Sequence, residues 1–131
     1  MLNPSTADAD ADDPTLRRIT AFSRSWGFGA LTVVNLYAYR ATDPAELWKA
    51  AHPVGPDNDR HILEAVSCVE VVAAWGANAR PERMAAVLGL IGKAPGAGRI
   101  HALATTRTGQ PRHPLYLRGD LKPQPWQAPD V

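Results

Sequence analysis

Leu2-Asn3-Pro4-Ser5-Thr6-Ala7-Asp8 reads as the end of a buried strand running into a polar, proline-bent loop that opens a helix. In an open α/β sheet, ligands sit in the crevice beyond the carboxyl ends of the strands, where such loops lie. The strand itself is nearly missing, because the chain begins at Met1. The expectation is a site-like loop without its usual support, with a first strand cut short.

Working outward, Asp8, Asp10, Asp12 and Asp13 alternate with alanines before Pro14. Asp13-Pro14 is a helix start, with Asp as N-cap and Pro at the first helical position. Leu16, Ile19, Phe22 and Trp26 follow at helical spacing, and Gly27 ends the helix. The acidic cluster fits capping and solvation at a helix N-terminus better than a divalent-metal site. Metal-ligand spacing from one loop is weakly specific.

Residues 29–36, Gly-Ala-Leu-Thr-Val-Val-Asn-Leu, form a β-branched apolar run suited to a strand covered on both faces. Asn35 ends it, followed by Tyr37, Tyr39 and Arg40. An amide there can donate and accept at once, as reading a base edge requires. It can equally tie down neighbouring loop backbone, and composition leans slightly to that second role.

Asp43-Pro44 repeats the cap-plus-proline signal before Leu47 and Trp48. Asp57-Asn58-Asp59 opens a helix with Ile62, Leu63 and Val66 inward, and Val69 to Trp75 reads as a strand ended by Gly76. Pro81 to Lys93 is a helix carrying Met84, Val87, Leu88 and Ile91, and Ile100 to Ala104 is a last short strand. A polar loop with Arg107, Arg112 and His113 follows. Residues 118–131 are proline-rich and aperiodic, the signature of a loosely attached tail.

Alternating strands and helices predict a three-layer α/β/α domain over residues 1–117, with a short, mainly parallel four-stranded sheet and right-handed connections. Asn3, Asn35, the Gly76 turn and His113 would then share one end of that sheet.

A chain of 131 residues suits one core. Composition is that of a soluble globular protein, 45% hydrophobic and 21% charged, so neither disorder nor a membrane class is indicated. No run approaches the roughly 18 apolar residues of a membrane span, and the opening residues lack the basic-then-apolar layout of a signal peptide. The expected location is therefore cytoplasmic. Cys68 is the only cysteine, which excludes an internal disulfide and a cysteine-based zinc site, and its neighbours suggest a buried thiol. His52, His61, His101 and His113 lack metal-helix spacing, so neither metal nor cofactor is expected. The formal charge of +1 gives no global argument for nucleic acid, although the last third is basic. Dinucleotide-binding and nucleophile-elbow motifs are missing.

The segments MLNPSTADADADDPT, WGFGALTVVNLYAYRATDP, VGPDND and TRTGQPRHPLYL resemble the bacterial and phage family called domain of unknown function 1643, over nearly the whole chain. Members of that family carry a further apolar strand before this opening, so the start of this chain is expected to be late or truncated.

More distantly, the motif order resembles the uracil-DNA glycosylase superfamily. Leu2-Asn3-Pro4-Ser5 resembles its water-positioning motif, and Thr32 to Leu36, leading to Arg40, its base-reading strand. Val71 to Gly76 resembles its Leu-Trp-Gly strand, and Gln110 to Leu115 its closing His-Pro-Ser motif. The chain departs from the last, with Leu115 and Tyr116 where the superfamily has serine and proline or glycine.

This resemblance implies hydrolysis of an N-glycosidic bond in a nucleotide or nucleic acid, with the base extruded into a pocket. Asn3 would orient water and Asn35 would read the base. Phe22, Trp26 or Phe28 would stack on it, and His113 would stabilise the leaving base. Arg40 belongs to the base-reading loop, and Arg107 and Arg112 would position phosphate. The alternative is a non-catalytic nucleotide- or nucleic-acid-binding module of the same fold, favoured by the altered closing motif and the absence of a carboxylate at Asn3. A third expectation follows from the short first strand. Burying an exposed sheet interior is worth about 25 cal/mol per Å², so the chain would be unstable, domain-swapped or a homodimer.

Overall fold

A computed structural model describes residues 1–5 and 13–129. Among the described residues there are three α-helices, the first of them held by a side-chain cap. Helix α1 spans Pro14–Ser25, and the Asp13 carboxylate accepts from the amides of Thr15 and Leu16 at 2.8 and 3.3 Å. Helix α2 spans Asn58–Ala65 and α3 spans Pro81–Lys93. The Asp43-Pro44 signal yields a 3₁₀ helix, Pro44–Lys49, with Asp43 capping the Ala45 amide. A tighter helix suits so short a run.

The fold class is α/β, as expected, but the sheet is small and mixed. Strand β1, Val71–Ala73, pairs in parallel with β2, Ile100–Ala102. Strand β2 also pairs antiparallel with β3, Gln124–Pro125, giving the order β1-β2-β3. Three strands are thus seen among the described residues where four were expected.

Residues 29–36 supply no strand: among the described residues the backbone bonds to this run come from Met1, at its end. The Met1 amino group donates to the Val34 carbonyl at 3.0 Å, and the Leu36 amide donates to the Met1 carbonyl at 3.0 Å. Those two bonds bracket Asn35 in the manner of a parallel ladder. The Tyr37 amide then donates to Leu2 at 2.9 Å and the pairing stops.

The C-terminal segment also differs from the expected loose tail. Besides forming β3, it packs Trp126 edge-on against buried Trp75, with ring centroids 5.4 Å apart. The Trp126 amide donates to the Ile100 carbonyl at 2.8 Å, and its indole donates to that of Gly109 at 2.9 Å. Trp126 therefore closes one side of the main core, where Leu36, Leu47, Ile62, Val87 and Ile91 meet. A second cluster joins Phe22 to Leu103 and Leu117. Leu16, expected on the inner stripe of α1, is half exposed.

Cys68 is exposed rather than buried. It occupies a left-handed turn with φ +56°, its amide bonded to the Pro95 carbonyl at 2.8 Å. Gly96 packs so closely that a Cβ there would lie 2.9 Å from the thiol sulfur.

Trp126→Ala is expected to lower stability by about 2 kcal/mol, below the fully buried range because Trp126 is only partly buried. Urea denaturation measures it, with Tyr116→Ala, at a side chain 92% exposed, leaving the midpoint unchanged.

Candidate functional site

The sequence-derived candidates fall into four places. Asn3 is spent on backbone. Its amide nitrogen donates to the carbonyls of Ala41 at 2.8 Å and Pro4 at 3.0 Å, with a longer contact of 3.5 Å to Tyr39. Together with the Ala41 amide bonded to Pro4, these contacts fasten the opening loop to residues 39–41. Arg40 reaches the Ser5 carbonyl at 3.5 Å from the same loop.

Asn35 and His113 both lie within reach of Met1. Asn35 is half-buried beside Met1, and His113 is half-buried beside the Gly76 turn, whose amide donates to Pro111 at 2.7 Å. A side-chain carbon at Gly76 would lie 3.9 Å from the His113 Cβ. The Leu115 amide donates to His113 Nδ1 at 3.2 Å, so in the neutral ring the proton sits on Nε2. Burial holds the imidazole below its ordinary titration range, and the Met1 amine lowers it further while Asp13 opposes. The Met1 amine is itself pushed down to about 5 by burial.

Arg107 and Arg112 project from a closed loop. Thr105 bridges Pro111, and the Thr106 and Arg112 amides bond the carbonyls of Gln110 and Ala104, each at 2.8 Å. Both arginines are exposed. Trp26 has a structural task. Its indole donates to the Leu121 carbonyl at 3.0 Å and its ring stacks on Phe22 at 5.5 Å. Phe28 is half exposed and Phe22 is buried.

A cleft of about 390 Å³ opens elsewhere, between the 3₁₀ helix, residues 53–54 and the first turns of α3. Tyr37, Trp48, Arg80, Glu82 and Arg83 line it with small apolar side chains. The Arg80 guanidinium lies over the Trp48 ring at 4.2 Å, and Tyr37 meets the same ring edge-on at 5.4 Å. The Tyr37 hydroxyl accepts from the Arg80 amide at 3.2 Å, and burial raises its titration above the usual tyrosine range. Buried Arg83 donates through Nε to the Leu36 carbonyl at 2.7 Å and pairs through Nη1 with Asp59 at 2.8 Å. Its Nη2 is buried without a partner among the described residues.

The sequence pattern did not single out this cleft, since its aromatic and cationic residues come from separate segments. The available signals were a tryptophan after the Asp43-Pro44 cap and two arginines around Pro81. Among the described residues no His, Cys, Asp and Glu cluster could hold a metal ion. Asp8, Asp10 and Asp12 lie outside the described residues. No described helix is long and apolar enough to cross a membrane.

Residues 1–115 match the model of a family described as protein of unknown function, DUF1643. The chain belongs to the DUF1643 family. No curated protein and no solved structure matches it. The DUF1643 match includes every candidate discussed above, and ends before β3 and Trp126.

The lowered imidazole gives a pH prediction for this DUF1643 protein. Between the folded value of His113 and its ordinary 6.5, the unfolded chain binds more protons, so stability rises with pH. Stability should therefore fall as pH drops below 6.5. His113→Gln, which cannot titrate, should flatten that part of the profile in urea titrations. Parallel profiles for the two proteins would remove His113 as the cause.

Proposed function

We propose that this DUF1643 protein is a nucleotide- or nucleic-acid-binding module whose cleft at Trp48 takes a base. The observation carrying this reading is the Tyr37–Trp48–Arg80 arrangement. It offers an aromatic face, a guanidinium already at ring-stacking distance, and room for a base. Arg80 is exposed and long, so it can leave the indole face and pair with a phosphate while the base takes its place. Stacking of this kind accepts any base, so broad base tolerance is expected. The resemblance of the opening and closing motifs to the uracil-DNA glycosylase superfamily supports the same ligand class, and the α/β order suits that fold.

Binding is favoured over catalysis because the Asn3 amide donors are held by the carbonyls of Ala41 and Pro4. A second reading, an N-glycosidic bond hydrolase, is supported by His113. Its neutral ring keeps an Nε2–H free to stabilise charge developing on a leaving base. Asn35 would then read that base, with Arg107 and Arg112 along the phosphates.

Tryptophan fluorescence during titration with mononucleotides and single-stranded oligonucleotides tests the binding reading. Trp48→Ala should weaken binding roughly tenfold, the worth of one stacked base. Arg80→Gln should weaken it and reduce its salt dependence. Affinity unaffected by Trp48→Ala would end the cleft assignment. Release of free base from uracil- or hypoxanthine-containing single strands, abolished by His113→Ala, would establish the hydrolase instead.

A further inference from the structure

Arg83 lines the Trp48 cleft and is only 7% exposed. Its Nε and Nη1 are taken by Leu36 and Asp59, while Nη2 is buried with no partner among the described residues. Folded proteins leave few buried donors unpaired, and a charged one costs the most. Arg80 and Arg83 lie one helical turn apart at the start of α3, and both side chains line the cleft. The Tyr37 hydroxyl accepts from the Arg80 amide, which leaves its own proton to donate. The N-terminus of α3 meets the same cleft without a side-chain cap, where helix amides favour an anion. Glu82 is the one carboxylate among the described lining residues, and it is exposed.

We propose that this cleft holds a phosphate monoester, so that its ligand is a nucleotide with a terminal phosphate and not an internal position of a strand. The proposal rests on the base-binding reading of the same cleft and adds the other half of the ligand. The base lies on Trp48, and the phosphate meets Arg83 Nη2, the Arg80 guanidinium and the Tyr37 hydroxyl. A phosphate monoester brings about two negative charges and three acceptor oxygens, one for each of these groups. An internal phosphodiester carries a single charge and has one free oxygen fewer, so one donor would stay unmatched. Asp59 offsets the charge of Arg83 through Nη1. Arg83 therefore contributes a directed hydrogen bond, and Arg80 the net charge. A volume of about 390 Å³ lies near the lower end of ligand pockets, which span about 300–1,000 Å³, and suits one nucleotide.

Fluorescence titration of the whole chain compares a nucleoside, its 5′-monophosphate, and single strands with and without a 5′-phosphate. The monophosphate should bind at least roughly tenfold more tightly than the nucleoside, the worth of one hydrogen bond to a charged group. The phosphorylated strand should outdo the bare one, and the tighter of the two phosphorylated ligands identifies the source. Inorganic phosphate alone, followed by phosphorus NMR line broadening, should bind the wild type but not Arg83→Lys, which keeps the charge and gives up Nη2. Glu82→Gln, at an exposed side chain, should tighten monophosphate binding several-fold and leave the nucleoside unchanged, a readout that stands even if Arg83→Lys does not fold. Equal affinity for nucleoside and monophosphate, both weakened by Trp48→Ala, would overturn the phosphate site and leave the base reading standing. Phosphate bound through Arg83 with no Trp48 effect would support the phosphate site and end the base reading. A bare strand that binds as tightly as the monophosphate, or a wild type that binds no inorganic phosphate, would overturn the proposal.

Discussion

The buried guanidinium of Arg83 is the interaction on which the rest of the structure depends. Placing a cation in a core costs several kcal/mol unless it is paired and hydrogen-bonded. Arg83 meets that condition by joining the Leu36 carbonyl to Asp59 of α2. Asn58 adds its own amide to the carbonyls of Asn35 and Leu36, at 3.0 and 3.1 Å. Residues 35 and 36 lack the neighbouring strands that would normally satisfy their backbone. Side chains from two helices supply those bonds instead. An apolar side chain of similar volume would spare the charge burial, but would remove the Arg83 bond to Leu36.

That clamp positions both faces of one short segment. On one side Tyr37 is carried into the cleft with Trp48 and Arg80. On the other, Asn35 lies against Met1, whose amine acts electrostatically on His113. Upstream of the clamp, Gly29 to Val33 have no such support and remain exposed. The contrast between residues 29–33 and 34–37 is thus one of hydrogen-bond partners, since both halves are apolar.

What was legible in the sequence was local. Asp13-Pro14, Asp43-Pro44 and the apolar spacing of Pro81 to Lys93 each carry their instruction within a few residues, and all three gave helices. The β1 core was legible as a β-branched run, and β2 as a short mainly apolar run, each ending in a small residue. What depended on distant partners was not. The strand expected over 29–36 needed a neighbour that Met1 and Leu2 supply only at its end. Strand β3 was invisible because Gln124-Pro125 has no strand pattern, although a proline without a donor is tolerated at a sheet edge. Asn3 was legible as part of a polar, proline-bent loop and read as a water-orienting group, but its role in holding residues 39–41 emerges only when those carbonyls surround it. The cleft assembles Tyr37, Trp48 and Arg80 from three separate segments, so no spacing rule could have found it.

Hydrogen exchange at the Leu36 and Tyr37 amides in an Arg83→Met variant tests this account most directly. These amides bond to Met1 and Leu2, and neither touches Arg83 through its own N–H. If the guanidinium holds the segment in place, both should lose protection while amides within the parallel β1–β2 pair keep theirs. Unchanged protection at Leu36 and Tyr37 in a folded Arg83→Met protein would contradict the account.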